Sequence, residues 1–179
     1  VQPYGVRCRA LGGSTHAWAG KSAPFDAIDF SRRAWVPNSG WPVGQEVIGG
    51  SLQEAMEVLN LCPTEPSGRV DACGMHSQYW QFARSRIDAL DVMRFGRDHL
   101  PRDPDTFDIL LDATVTNVGL SADGTAFSTL FVESLSGKRA RIEAKFCVLA
   151  AGAIENARLL LASADVHAAG IGNLHDQVG

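Results

Sequence analysis

Two short stretches of this chain hold residue types suited to gripping an anionic or ring-shaped ligand. Gly12-Gly13-Ser14-Thr15 sets two glycines ahead of two hydroxyls. Paired glycines allow a backbone turn that aims successive N–H groups at an anion or a flavin ring, and the hydroxyls add donors. Ala150-Ala151-Gly152 closes an apolar run just ahead of a helical pattern. Small residues there let the backbone come close to a ligand, and the N-terminus of a helix offers unpaired N–H groups to phosphate or ribose oxygens. Each stretch also has a plainer use, a surface loop for the first and tight strand–helix packing for the second. No Walker spacing and no Gly-x-Gly-x-x-Gly occurs anywhere in the chain.

The remaining reactive side chains form no obvious constellation. His76 and His99 sit in polar surroundings and read as solvated, while His167 and His175 fall in a Gly-rich region. No triad or metal set has suitably spaced partners, so no catalytic residue can be named. Cys8, Cys62, Cys73 and Cys147 match no zinc or redox spacing, and Cys147, inside Phe146-Cys147-Val148-Leu149, reads as a small buried hydrophobe. Trp35 and Trp41, in a Pro-rich loop, suit either stacking on a sugar or anchoring the loop.

These residues must be positioned by a chain of 179 residues with 45% hydrophobic and 20% charged side chains. That composition gives a soluble globular protein with a real core. A net charge of -4 provides no polybasic surface, which excludes nucleic acid as a partner. The longest apolar run, Phe146 to Ile154, is far too short for a membrane span and reads as a buried strand entering a helix. Val1 to Gly5 shows no initiator Met, basic n-region or apolar h-region. The compartment stays open, with a soluble, cytoplasmic protein favoured.

Three segments differ in character: 1–29, rich in small residues; 30–105, with three of the Trp and most of the Arg; and 106–179. In the second, Gln53 to Leu59 predicts a helix with Leu52, Met56 and Leu59 on one face, stopped by Pro63. A weaker helical pattern runs from Ile87 to His99. In the third, strand-like runs cover 108–119, 126–134 and 139–150, separated by the turn dipeptides Asp123-Gly124 and Ser136-Gly137. Ile109, Leu111, Ala113 and Val115 alternate as in a half-buried strand. The expectation is a mixed α/β (α+β) fold with an antiparallel three-stranded meander whose last strand is the most apolar. A helix from Ala153 to about Ser163 should follow, with Ala153, Ala157, Leu160 and Leu161 along one stripe and Glu155 near its positive end.

The order of these motifs resembles the glucose–methanol–choline oxidoreductase family over almost the whole chain. Arg9 to Thr15 with Trp18-Ala19-Gly20 resembles its flavin-side loop, and Asp29-Phe30 with Trp35 to Pro42 follows as in bacterial members. Val115-Thr116-Asn117-Val118 resembles the strand whose Val meets the adenine of FAD. Val148 to Ser163 resembles the family's second conserved block, and Gly170 to Gly179 the segment returning to the substrate domain. The resemblance implies an FAD-binding, Rossmann-like, two-domain flavoprotein. Gly12, Gly13, Ser14, Thr15, His16, Trp18, Gly20, Val115, Ala151, Gly152 and Asn156 would serve the cofactor. It also implies that 1–29 and 106–179 are flavin-binding segments and 30–105 a cap on the substrate side.

Departures refine the resemblance. Trp18 stands where many members have Asn or His, and Asn156-Ala157 where many alcohol oxidases have Ser-Pro. Both are similar to the sugar-oxidising branch. Pyranose oxidases attach the flavin to a His directly before the matching Trp; here Ala17 intervenes, and His16 reads as a hydrogen-bonding residue near the flavin or its loop. The family's glycine-rich βαβ unit would precede Val1 and its catalytic His would follow Gly179. The chain is then expected to be an internal fragment of an enzyme taking hydride from the CH–OH group of an alcohol or sugar. Its electron acceptor is left open. Two alternatives stand beside it: an amine- or acid-oxidase type of FAD protein, and a short non-catalytic binding module.

Overall fold

The structure, a computed structural model, describes residues 8–62, 71–77, 79–100 and 107–179. By its contacts the chain divides into two compact units, Val1–Asp108 and Ile109–Gly179.

In the first unit a short 3-10 turn, Gly13–His16, precedes β1 (Lys21–Ser22) and α1 (Ala27–Phe30). At the start of α1 the Asp29 carboxylate accepts the Asp26 N–H at 2.9 Å, which satisfies one of the donors a helix start leaves open. The longer helix α2 runs over Gln45–Val58, eight residues earlier than the predicted start. Gly49-Gly50 weakens the helical signal there. Ile48, Leu52, Met56 and Leu59 share its half-buried stripe, in keeping with the expected face. The helix closes before reaching Pro63, which lies outside the described residues. Asn60 takes φ 55, its N–H bonds Glu57 O, and the Leu61 N–H bonds Met56 O, which together make a Schellman closure.

Two small ladders follow: β2 (Asp71–Ala72) with β3 (Met75–His76), and β1 with β4 (Gln81–Phe82). The helix expected over Ile87 to His99 is only α3, Phe95–Asp98. The residues before it turn back instead, with a bridge between Arg84 and Val92. Local side chains account for the difference. The Ser85 hydroxyl accepts the Ile87 and Asp88 N–H groups, and the Asp88 and Asp91 carboxylates accept those of Leu90 and Val92. Such bonds compete with the helical ladder. Ala83, Ser85, Met93 and Asp98 are the buried centre of this unit.

The second unit is built on an antiparallel sheet ordered β5-β6-β7, with β5 Thr114–Leu120, β6 Phe127–Glu133 and β7 Arg139–Glu143. Asp123-Gly124 and Ser136-Gly137 make the two connections, as expected from their turn chemistry. Val115, Val118, Leu130, Val132 and Ile142 share one face by register, with Val118 and Val132 buried. Thr116 is extra between Val115 and Asn117, a bulge that shifts the pairing by one residue.

Both outer strands are shorter than predicted. Ile109, Leu110 and Leu111 precede β5 and are exposed. β7 carries Arg139, Arg141 and Glu143 and is the most charged strand, not the most apolar. The apolar run after it belongs to no ladder: Phe146 is 87% and Val148 86% exposed, and Cys147 is half-buried rather than buried. Its apolar composition suits a buried strand, but among the described residues no neighbouring strand pairs with it.

α4, Ala153–Ala162, begins where expected. Asn156, Ala157, Leu159, Leu160 and Ser163 are buried or half-buried, so the predicted stripe holds at Ala157 and Leu160, while Ala153 and Leu161 are exposed. Ser163 anchors this face. Its hydroxyl accepts the Val118 N–H at 2.9 Å and donates to Leu159 O at 2.7 Å, so the end of α4 caps an edge group of β5. Beyond it, Asn173 holds the final loop by donating to Ala169 O and accepting the Val178 N–H. Ser163→Ala leaves the buried Val118 N–H without an acceptor and is expected to cost about 1–3 kcal/mol. Urea unfolding checks this against Ser128→Ala at an exposed position of β6, expected within about 0.5 kcal/mol of the parent.

Candidate functional site

The glycine loop of the first unit is shaped by α3. Gly12 takes φ 92, and a Cβ there would collide with the backbone of Gly96. A Cβ on Gly96 would in turn stand 2.6 Å from Leu11 O. Two glycines therefore let loop and helix backbones touch. Thr15 Oγ1 donates to Gly12 O at 2.5 Å and accepts the Phe95 N–H at 3.0 Å, which closes the turn and satisfies the first donor of α3. Arg94 donates to His16 O at 2.7 Å, and the Trp18 indole N–H to Met93 O at 2.7 Å. Gly20 is buried against Ala83, whose backbone oxygen would lie 2.7 Å from a Cβ. These contacts fix the loop from Gly12 to Gly20 along the 83–98 segment.

What the loop leaves outward is small and specific. Gly13 has φ 57 and nothing within 4 Å of a would-be Cβ, and Ser14 beside it is exposed. The Gly13 N–H itself is used by Ala10 O. His16 Nε2 lies 2.7 Å from Leu11 O. A carbonyl only accepts, so Nε2 carries the hydrogen and the neutral ring keeps its lone pair on Nδ1. Of the two aromatic residues weighed for stacking, Trp41 is an anchor, with ring centroids 5.2 Å from Phe25 and 5.3 Å from Phe30. Trp35 is 76% exposed.

In the second unit, Asn156 acts on the backbone ahead of its own helix. Its Oδ1 accepts the Ala151 N–H and its Nδ2 donates to Leu149 O, each at 2.9 Å. This clasp sets the Ala150-Ala151-Gly152 turn. Gly152 follows at φ 89 and ψ 158, a conformation essentially reserved for glycine, and it has nothing within 4 Å of a would-be Cβ. Among the described residues no side-chain oxygen caps α4, and its positive end presents backbone. Glu155, in its first turn, is paired with Arg158 at 2.7 Å. Val115 is half-buried beside the bulge, opposite Val132.

Sequence reasoning missed the buried carboxylate at the end of α3. Asp98 is 1% exposed and accepts from the Ser85 hydroxyl at 2.8 Å, the Arg94 N–H at 2.8 Å and Arg97 Nε at 3.1 Å. Burial alone would push its carboxyl pKa up, but the Arg97 guanidinium, the Arg94 N–H and the Ser85 hydroxyl outweigh it and hold the carboxyl below the ordinary range. Asp91 is lowered too, first by Arg97 at 2.6 Å and then by the Val92 N–H. No spacing rule announces such a cluster, because its partners come from a turn and a four-residue helix. His99 also departs from expectation: its ring lies 5.2 Å from Phe95, and its buried Nε2 has no hydrogen-bond partner among the described residues. The side chain of His76 lies outside the described residues.

Among the described residues no group of three His, Cys, Asp or Glu side chains is placed to hold a metal ion. Among them, too, no helix is long and apolar enough to cross a membrane. No family model matches the chain, and no curated protein matches its sequence.

Asp98 and Asp91 are lowered in the fold, so each contributes stability that is present above the ordinary carboxylate pKa of about 4. That contribution is lost as pH falls through the lowered folded values. The thermal midpoint is expected to be level from about pH 7 to 5 and to fall below about pH 4. Asp98→Asn should flatten the acid limb. Calorimetric scans across pH check this, and an acid limb of unchanged slope in the variant would contradict it.

Proposed function

We propose that this chain is an internal part of an FAD-dependent oxidoreductase of the glucose–methanol–choline type, acting on the CH–OH group of an alcohol or sugar. One observation carries the reading. Of the glycines assigned to the cofactor, Gly12 and Gly20 are consumed by internal packing, while Gly13 and Gly152 face open space in conformations that favour glycine. Positive φ accounts for glycine at both positions, and the open space beside each leaves the backbone accessible to a ligand.

In this reading the Gly13-Ser14 edge, with His16 and Trp18 behind it, lies on the ring side of FAD. The Ala151-Gly152 turn, held by Asn156, meets the ribose or pyrophosphate with the positive end of α4, and Val115 meets the adenine. FAD, when bound, accepts the hydride. The chain's own contribution is placement: rigid loops, N–H donors and a surface from which water is displaced. Sugar oxidation is favoured within the class by Trp18 and Asn156-Ala157. An amine- or acid-oxidase relationship is disfavoured by the Trp35-to-Pro42 block and the Gly170-to-Asp176 segment. A soluble, cytoplasmic enzyme fits this reading.

The protein expressed from its complete reading frame should reduce a dye when given a sugar or primary alcohol. The 179-residue chain alone should not, and should release FAD on desalting. The glycine-rich turn assigned to a preceding segment supplies charge-assisted hydrogen bonds worth roughly 1.5–3 kcal/mol each. About three of them amount to several orders of magnitude in affinity. An active, yellow 179-residue chain would remove the fragment reading, and a complete protein inert toward every alcohol and sugar would remove the assigned activity.

A further inference from the structure

We propose that Asp98 is a positioning residue for the Gly12-to-Trp18 loop, acting through Arg94 and α3 to hold that loop in a cofactor-binding shape. The inference rests on the flavin reading for what the loop holds, but not for how it is held.

The link is continuous in named atoms. Asp98 Oδ2 accepts the Arg94 N–H at 2.8 Å and Oδ1 accepts the Ser85 hydroxyl at 2.8 Å, so both carboxylate oxygens are committed to the start of α3 and to the segment that precedes it. Arg94, fixed at its backbone, sends its guanidinium 2.7 Å to His16 O. The next N–H, of Phe95, donates to Thr15 Oγ1. The next residue, Gly96, is the surface on which Gly12 lies. Three consecutive residues of one short element therefore touch three positions of the loop, and one buried carboxylate sets where that element begins. A four-residue helix has little stability of its own, because nucleation is unfavourable and short helices depend on tertiary contacts. Without Asp98 the first turn of α3 is free to unwind, and the loop loses its template. An amide in its place offers one acceptor where the site presents donors to both oxygens.

A purely structural role would lower stability without a preference for this loop, and the test separates the two. The protein from its complete reading frame is compared with Asp98→Asn, Arg94→Met and Phe30→Leu. Arg94→Met deletes the link to His16 O while Asp98 keeps Arg97, and it decides the matter if Asp98→Asn does not fold. Phe30→Leu destabilises the separate Phe25–Phe30–Trp41 cluster. Hydrogen exchange is followed at the Gly13 and Ala17 amides, with FAD affinity and the visible circular dichroism of bound FAD. Asp98→Asn and Arg94→Met should each speed exchange at both amides about tenfold beyond Phe30→Leu, weaken FAD about tenfold, and alter the visible band. Exchange no faster than in Phe30→Leu overturns the proposal, as does faster exchange with FAD affinity and dichroism unchanged. If the parent binds no FAD, the flavin reading falls, and the exchange data alone decide whether Asp98 holds the loop.

Discussion

A carboxylate removed from water must be answered by donors on both oxygens, and in the first unit that demand organises everything nearby. Asp98 is met by Ser85, Arg94 and Arg97, and Arg97 is shared with Asp91. Leaving such a group unpaired would cost several kcal/mol, so turn, strand and α3 are obliged to converge on it. The glycine loop is then laid on the result, touching Met93, Arg94, Phe95 and Gly96 in sequence. The shape of a candidate binding loop is thus set by residues some eighty positions further along the chain.

The second unit solves a different problem, the open edge of a three-stranded sheet. Ser163 caps Val118 from the end of α4, and the outer strand β7 is protected by alternating charges. The segment between β7 and α4 is not protected. Phe146 and Val148 stand exposed in a run whose apolar composition suits a buried strand, while Asn156 holds the turn that follows in a defined geometry. A well-formed turn thus follows an apolar run that, among the described residues, has no strand partner.

Much of the second unit was legible because its signals are local. Alternation in β5 and β6, the dipeptides Asp123-Gly124 and Ser136-Gly137, and the small residues before α4 each act within a few positions. The errors came where a partner decides the outcome. The continuous apolar run at 146–149 predicted burial, but burial needs a neighbouring strand. The pattern at 87–99 promised a helix, but Ser85, Asp88 and Asp91 satisfied the backbone locally. For the candidate site, glycine-rich composition marked the two stretches but could not separate Gly12, packed on Gly96, from Gly13, which faces open space. Nor could it show that Thr15 and Asn156 spend their polar atoms on the backbone, or that Asp98 matters at all.

The central claim is that the chain belongs to a flavoprotein, with bare backbone at Gly13 in the first unit and at Gly152 in the second each left for cofactor contact. The most direct test is the visible absorbance of the complete protein after desalting, for the parent and for Gly13→Val and Gly152→Val. The account predicts flavin bands in the parent that are lost or strongly reduced in both variants, since a branched side chain at either position would occupy the space left for the cofactor and is strained at positive φ. A colourless parent, or variants that keep a full complement of flavin, would contradict it.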